Sequence, residues 1–241
     1  DVVCPGSRPR PGERADGLQA FAAPGEYEPV TVSIHPLQDL EQAAITVSAL
    51  TSGEATIGAN SVAVYPVRCL NKRVTYSSTK YVKDMPVMLE RRARTRIKAG
   101  TSKRFWLDLR VPIDCSPGIY TGTVTFSAQG VPSAVLPLRL RVLPFRLREP
   151  ENQILGEYYR GPQLARTEPQ EREFLTRDLE DMRKHGMTSI GLCMGCPTQQ
   201  ATIADGKVEL NLSGASLYEH CLDTYRDLGF PAPIVQLSDS G

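Results

Sequence analysis

Arg104-Phe-Trp-Leu-Asp-Leu-Arg-Val-Pro-Ile-Asp-Cys-Ser-Pro-Gly-Ile-Tyr-Thr-Gly-Thr-Val-Thr-Phe126 is the stretch on which the fold turns. Phe105, Leu107, Leu109 and Val111 alternate with Arg104, Trp106, Asp108 and Arg110. After Ser116-Pro117-Gly118 the pattern resumes, with Tyr120, Gly122, Val124 and Phe126 against Thr121, Thr123 and Thr125. A period of two sends successive side chains to opposite faces of an extended chain. This is therefore two strands, each with one buried and one wet face, joined by a turn. The same period continues outward. Val30, Val32 and Ile34 alternate with Thr31 and Ser33, and Leu136, Leu138, Leu140 and Val142 with Pro137, Arg139 and Arg141. Turn signals fall between such runs at Pro24-Gly25, Ser52-Gly53, Ala99-Gly100 and Gln129-Gly130. Short, regularly punctuated strands predict an antiparallel β-sandwich over residues 1–150. Pro137 predicts an edge strand or a bulge, because proline cannot donate to a ladder.

The period changes after Pro150. Gln153 to Tyr159 is a short strand candidate, and Thr167-Glu-Pro-Gln170 reads as a helix start, with Thr167 as cap, Pro169 in the first turn and Gln170 completing a capping box. Leu175, Leu179 and Met182 then form one apolar stripe, and Gly186 follows His185 as the helix stop. Ser189 to Gly195 is a second strand; Asp205-Gly206 marks a small inserted hairpin. A second helix is expected from about Ser213 to Leu228, and Pro233 to Leu237 is a third strand. The order β-α-β-α-β implies parallel strands with right-handed crossovers. The fold class is thus multidomain: a β-sandwich over 1–150, then the first three strands and two helices of a (β/α) barrel-like domain over 151–241. A complete barrel takes roughly 250 residues, so this second part is expected to be incomplete.

Composition narrows the function classes. With 28 Lys and Arg against 27 Asp and Glu, the 241-residue chain carries a formal charge of +1. Neither the basic stripe of a nucleic-acid binder nor the basic tract of an electrostatic membrane binder is present. No apolar run approaches the length of a membrane span. The basic residues between Lys80 and Arg96 are interleaved with apolar ones and read as a solvated loop and strand face. Six cysteines are scattered at 4, 69, 115, 193, 196 and 221. Cys193-Met-Gly-Cys196 has the spacing of half a zinc site, but no second CxxC or His pair completes it. No metal and no cofactor is expected.

Phe21-Ala-Ala-Pro-Gly-Glu-Tyr-Glu-Pro29, Val111-Pro-Ile-Asp-Cys-Ser-Pro-Gly-Ile-Tyr-Thr-Gly122 and Leu143-Pro-Phe-Arg-Leu147 resemble the amino-terminal sandwich of glycoside hydrolase family 123-like proteins. Asp178-Leu-Glu-Asp-Met-Arg-Lys-His-Gly-Met-Thr-Ser189 is similar to the first helix and turn of their catalytic (β/α)₈ barrel. The resemblance implies β-N-acetylgalactosaminidase-type hydrolysis, in which the substrate's 2-acetamido group attacks the anomeric carbon. An adjacent Asp-Glu pair assists, the aspartate orienting the acetamido group and the glutamate protonating the leaving oxygen. Such substrate assistance departs from the usual two-carboxylate scheme. This sequence contains no Asp-Glu dipeptide; Glu180-Asp181 is reversed and lies mid-helix. No catalytic residue is therefore assigned, and the chain is expected to be inactive by itself. The resemblance also implies a glycan or glycoconjugate partner and an extracellular or periplasmic location, since polymeric glycans lie outside the cell.

Glu157, Tyr158, Tyr159 and Arg160 end the first barrel-like strand, where substrate-facing groups emerge in such folds. Carboxylate and guanidinium groups suit sugar hydroxyls, and a ring stacks on the apolar face of a pyranose. In the alternative reading one tyrosine packs inside and Arg160 pairs with a surface acid. Asp239, after the third strand, is a further substrate-binding candidate. Trp106, the only tryptophan, falls on the polar face of its strand; packing beneath a covering element is preferred over a carbohydrate platform. The rival to the hydrolase reading is a non-catalytic carbohydrate-binding or cell-surface sandwich module.

Overall fold

The computed structural model describes residues 2–73, 82–150, 153–162, 165–192, 201–210 and 216–236, with backbone only at 201–204, 208–210 and 216. The chain divides into two compact units, Asp1–Leu147 and Arg148–Gly241.

The first unit is a β-sandwich. One sheet contains β1 (Leu18–Ala22), β3 (Leu40–Val47), β4 (Leu50–Ser52), β5 (Ala55–Ile57), β8 (Thr95–Ile97), β10 (Gly118–Ala128) and β11 (Val131–Val142). Its main path runs β1-β11-β10-β3-β8, with β4 pairing to β10 and to β5. The other sheet runs β2-β9-β6-β7, formed by β2 (Tyr27–Ile34), β6 (Val62–Arg73), β7 (Val82–Leu89) and β9 (Lys103–Arg110). The alternation in the sequence maps onto burial. Phe105, Leu107 and Leu109 are buried on β9, Tyr120 and Val124 on β10, and Leu138, Leu140 and Val142 on β11. With Val30, Val32, Ile45, Leu50 and Ile57 they form one core cluster drawn from both sheets. Each such side chain contributes about 1.5–3 kcal/mol relative to exposure.

Two expectations change. The sandwich is not wholly antiparallel, because β1 pairs parallel to β11 in register Leu18↔Leu138. Pro137 marks neither an edge strand nor a bulge: β11 lies between β1 and β10, and the β10 register passes through Thr123↔Pro137 without a shift. The β1 ladder begins one residue later, at Leu138, so the proline sits where one side of β11 has no paired residue. Two of the three strand prolines on the other sheet obey the edge rule, while Pro66 lies on the inner strand β6 at the last residue paired to β9. Pro29 is on edge strand β2, and Pro86 is on edge strand β7 beside a register shift. Within Phe21-to-Pro29, Ala23 to Glu26 is a structural turn between β1 and β2. Gly25 takes φ +91, where a Cβ would meet Ile113 Cδ1 at 2.7 Å, and Glu26 Oε2 accepts from Ala23 N–H at 2.7 Å. Trp106 is half-buried on the outer face of β9, in register with Thr31 and Tyr65.

The second unit is the β-α-β-α-β segment. Its strands are β12 (Tyr158–Tyr159), β13 (Gly191–Leu192) and β16 (Val235–Gln236), paired in parallel in that order. The helices are α1 (Glu168–Lys184) and α2 (Ser216–Asp227). Leu175 and Leu179 of α1 and Cys221 and Tyr225 of α2 pack with Tyr159, Ile190 and Leu192 in one core. Thr167 occupies the cap position of α1 without a side-chain cap bond; Gln170 Oε1 instead accepts from Arg166 N–H at 3.0 Å. His185 caps the other end and Gly186 follows at φ +87. The inserted hairpin is present as β14 (Ala201–Ala204) and β15 (Lys207–Leu210). Asp205 and Gly206 have φ of 53° and 73°, the signs a two-residue I′ turn needs.

Candidate functional site

An open cleft of about 690 Å³ lies in the second unit. One wall comes from Glu157, Tyr158, Tyr159 and Arg160, the four residues expected to face substrate. The other comes from Phe174, Asp178, Asp181 and His185. These four recur at helical spacing on α1, so they form a single stripe beside the buried one.

The strand distributes its residues unequally. Tyr159 is buried at 5% exposure, in register with Leu192 and packed into the core under the helices. Its hydroxyl donates to Asp178 Oδ2 at 3.0 Å. Burial, and then the adjacent Asp178 carboxylate, push the phenol far above its ordinary range, so it remains a donor. Tyr159 is therefore the packed tyrosine of the alternative reading. Tyr158 is 71% exposed and in register with Gly191, whose next neighbour is Val235. Side chains alternate along a strand, so Tyr158 and Val235 share the sheet face turned away from the helices. Val235 is itself 36% exposed. Glu157 and Arg160 are exposed on the cleft rim, and the carbonyl of Glu157 accepts from Gly191 N–H at 2.9 Å.

Along α1 the polar stripe is tied to the helix. His185 Nδ1 lies 2.8 Å from Asp181 O and 3.7 Å from Asp181 Oδ1. The Arg177 guanidinium sits over the Phe174 ring, 5.9 Å from its centroid. In sequence, His185 falls at the helix end and Asp178 within the family-like phrase, and no local pattern joins either to the strand. The i, i+4, i+7, i+11 spacing of Phe174, Asp178, Asp181 and His185 was the available signal. Asp239, together with Cys193, Met194 and Cys196, lies outside the described residues.

The chemistry on offer is recognition: an exposed ring, a guanidinium and carboxylates around an open groove. Among the described residues, no group of three or more His, Cys, Asp or Glu side chains is arranged to hold a metal ion. No described helix is long and apolar enough to cross a membrane.

No protein-family profile and no curated protein matches the sequence. Among solved structures, a family 123 glycoside hydrolase from Clostridium perfringens, studied for glycolipid glycan hydrolysis, is similar over 89% of this chain at 13% identity and a TM-score of 0.71. This chain covers 42% of that hydrolase. A Bacteroides ovatus GH5 xyloglucanase aligns over 91% of this chain and 43% of its own, at 10% identity and a TM-score of 0.27. The Pseudomonas aeruginosa CupB2 chaperone aligns with 54% of each chain covered, at 10% identity and a TM-score of 0.31. The fold, a β-sandwich followed by a partial α/β segment, is of the family 123 kind.

Proposed function

We propose that this chain is the amino-terminal portion of a glycoside hydrolase resembling β-N-acetylgalactosaminidases. In this reading a (β/α) barrel that begins in the second unit follows the sandwich in the chain. The observation that carries the reading is the likeness to the Clostridium perfringens hydrolase over 89% of this chain and 42% of that one. The second unit's sheet adds support. Parallel sheets normally have both faces covered, whereas Tyr158 and Val235 leave one face of this three-stranded sheet open. Further βα units would cover that face and pair with the edge strands β12 and β16.

The catalytic Asp-Glu pair belongs to those further units, since the sequence has no such dipeptide. The substrate is a glycan or glycoconjugate met outside the cell. Tyr158 supplies a stacking face, and Glu157 and Arg160 supply partners for its hydroxyls. The test compares two proteins on an aryl β-N-acetylgalactosaminide: this chain, and the chain extended along its parent reading frame. Turnover is expected only from the extended protein. Turnover by the 241-residue chain would refute the assignment of the missing pair. An inactive extended protein, or a parent gene that stops at Gly241, would refute the hydrolase reading itself.

A further inference from the structure

We propose that Cys4 and Cys69 form a disulfide that staples the amino-terminal segment to the β6–β7 ribbon of the sandwich. The two residues are remote in sequence, but the structure draws them together. The Cys4 thiol donates to the carbonyl of Asp84 on β7 at 2.9 Å. Asp84 pairs with Asn71, two residues beyond Cys69 on β6, and Asn71 Nδ2 donates to Asp84 Oδ1 at 3.2 Å. The Cys69 sulfur in turn lies 4.0 Å from the carbonyl oxygen of Val3. That oxygen belongs to the peptide bond leading into Cys4, so each sulfur rests on the other's immediate surroundings.

The segment is held in place independently of the thiols. Ser102 N–H donates to Pro5 O at 2.8 Å and Ser102 Oγ to Ser7 O at 2.7 Å. Cys4 N–H donates to Ser7 Oγ at 3.0 Å, and Ser7 N–H donates back to Cys4 O at 2.9 Å. Bridging therefore closes a gap between two anchored elements without first recruiting a floppy tail. The β6–β7 register shifts between Arg68 and Cys69, so the ladder is irregular beside Cys69. Both cysteines are free and half-buried, hence reachable by a small oxidant; Cys221, by contrast, is sealed in the second core.

The chemistry balances with a disulfide oxidant such as glutathione disulfide. The Cys4 thiolate attacks one oxidant sulfur, forming a mixed disulfide and releasing one glutathione thiolate. Burial, and then the neighbouring Cys4 sulfur, hold the Cys69 thiol above its usual range, while Lys103 and Arg104 pull the other way. Cys69 therefore serves as the resolving thiol: it loses its proton to the released thiolate and displaces the second glutathione. Two protein thiols are oxidised, one oxidant disulfide is reduced to two thiols, and the Cys4–Cys69 bond remains.

The test uses the full chain, incubated with glutathione disulfide, denatured, alkylated and mapped by mass spectrometry. The expected result is a cross-linked pair of peptides carrying Cys4 and Cys69, with Cys115 and Cys221 alkylated. Cys69→Ser is expected to abolish the cross-link and leave Cys4 as a glutathione adduct. Recovery of both Cys4 and Cys69 as alkylated thiols in the parent, or of Cys4 joined to another cysteine, overturns the proposal. A second readout does not depend on the Cys69 variant folding. The thermal midpoint of the sandwich should rise by roughly 5–15 °C on oxidation and fall back in reductant. Cys4→Ser, in the amino-terminal segment outside every strand, should lose that redox dependence; its persistence in Cys4→Ser overturns the proposal.

Discussion

Among the described glycines, Gly156 leaves the least room for a side chain. It precedes β12, where the chain runs against the backbone of Ser189 and Ile190. A Cβ placed there would lie 2.1 Å from Ser189 O, 2.7 Å from Ser189 C and 3.3 Å from Ile190 Cα. All three are backbone atoms, so no rotamer change relieves the contact, and the two segments must separate by about 1 Å to reach an ordinary van der Waals distance. Five hydrogen bonds resist that movement. Thr188 and Ser189 N–H both donate to Leu155 O, at 2.9 and 3.1 Å, and Gly191 N–H donates to Glu157 O at 2.9 Å. Leu155 N–H donates to Thr188 Oγ1, which donates onward to Gln153 O, each at 2.8 Å. Overpacking of this kind costs about 1–3 kcal/mol, and loosening two of the bonds adds about 1 kcal/mol each. Gly156→Ala should therefore destabilise the second unit by about 3–5 kcal/mol, a large share of what a unit of this size holds. Urea unfolding followed by two probes reads this directly. Far-ultraviolet circular dichroism reports α1 and α2, the described α-helices, both in the second unit; Trp106 fluorescence reports the sandwich and serves as the control for a correctly folded sample. A helical transition within about 0.5 kcal/mol of the parent would refute the claim that backbone contact enforces glycine here.

In the sandwich, Glu90 is buried at 8% exposure, 2.8 Å from Arg92 Nη2, 3.7 Å from Lys103 Nζ and 4.0 Å from Arg68 Nε. Glu90→Gln keeps the shape but strips Lys103, whose amine burial already holds below its ordinary range, of its counter-charge. The cost should be about 2 kcal/mol, less than for a fully sealed pair because both arginines are half-exposed, and the urea midpoint followed by Trp106 fluorescence checks it. Tyr120 donates to Ser116 O at 2.9 Å, and burial followed by Cys115 pushes its phenol up to about 12. Its contribution is whole below the ordinary phenol range near pH 10; above that the unfolded chain loses its proton first, so stability falls as the pH rises toward 12. Tyr120→Phe should flatten that alkaline slope and, at neutral pH, lose about 1 kcal/mol with the hydrogen bond. An unchanged slope in urea melts taken across that pH range would contradict the assignment.

The alternation of Phe105, Leu107 and Leu109, and of Tyr120 and Val124, made the sandwich strands legible, because a period of two has one structural consequence. The α1 stripe and Gly186 were legible for the same local reason. Strand partners were not: nothing in Leu18-Gln-Ala-Phe-Ala22 announces that it lies parallel to β11, since that pairing joins segments more than a hundred residues apart. Pro137 shows the same limit. Its missing donor is a local fact, while the side of β11 left unpaired is settled only by where β1 begins.

The candidate site divides along the same line. Residue type and position after a strand were enough to single out Glu157, Tyr158, Tyr159 and Arg160. Which tyrosine packs beneath the helices required the tertiary structure, because two adjacent residues differ only in which side of the sheet receives the helices. That choice turns Tyr159 into a buried donor to Asp178 and leaves Tyr158 open on the opposite face. The α1 wall, and the approach of Cys4 to Cys69, exist only after chain segments distant in sequence have packed. The sequence by itself determined the strands with clear alternation, β2, β9, β10 and β11, and the two helices, through periods set by backbone geometry. Tertiary packing decided which of them meet, because pairing and facing depend on long-range contacts that no local pattern encodes.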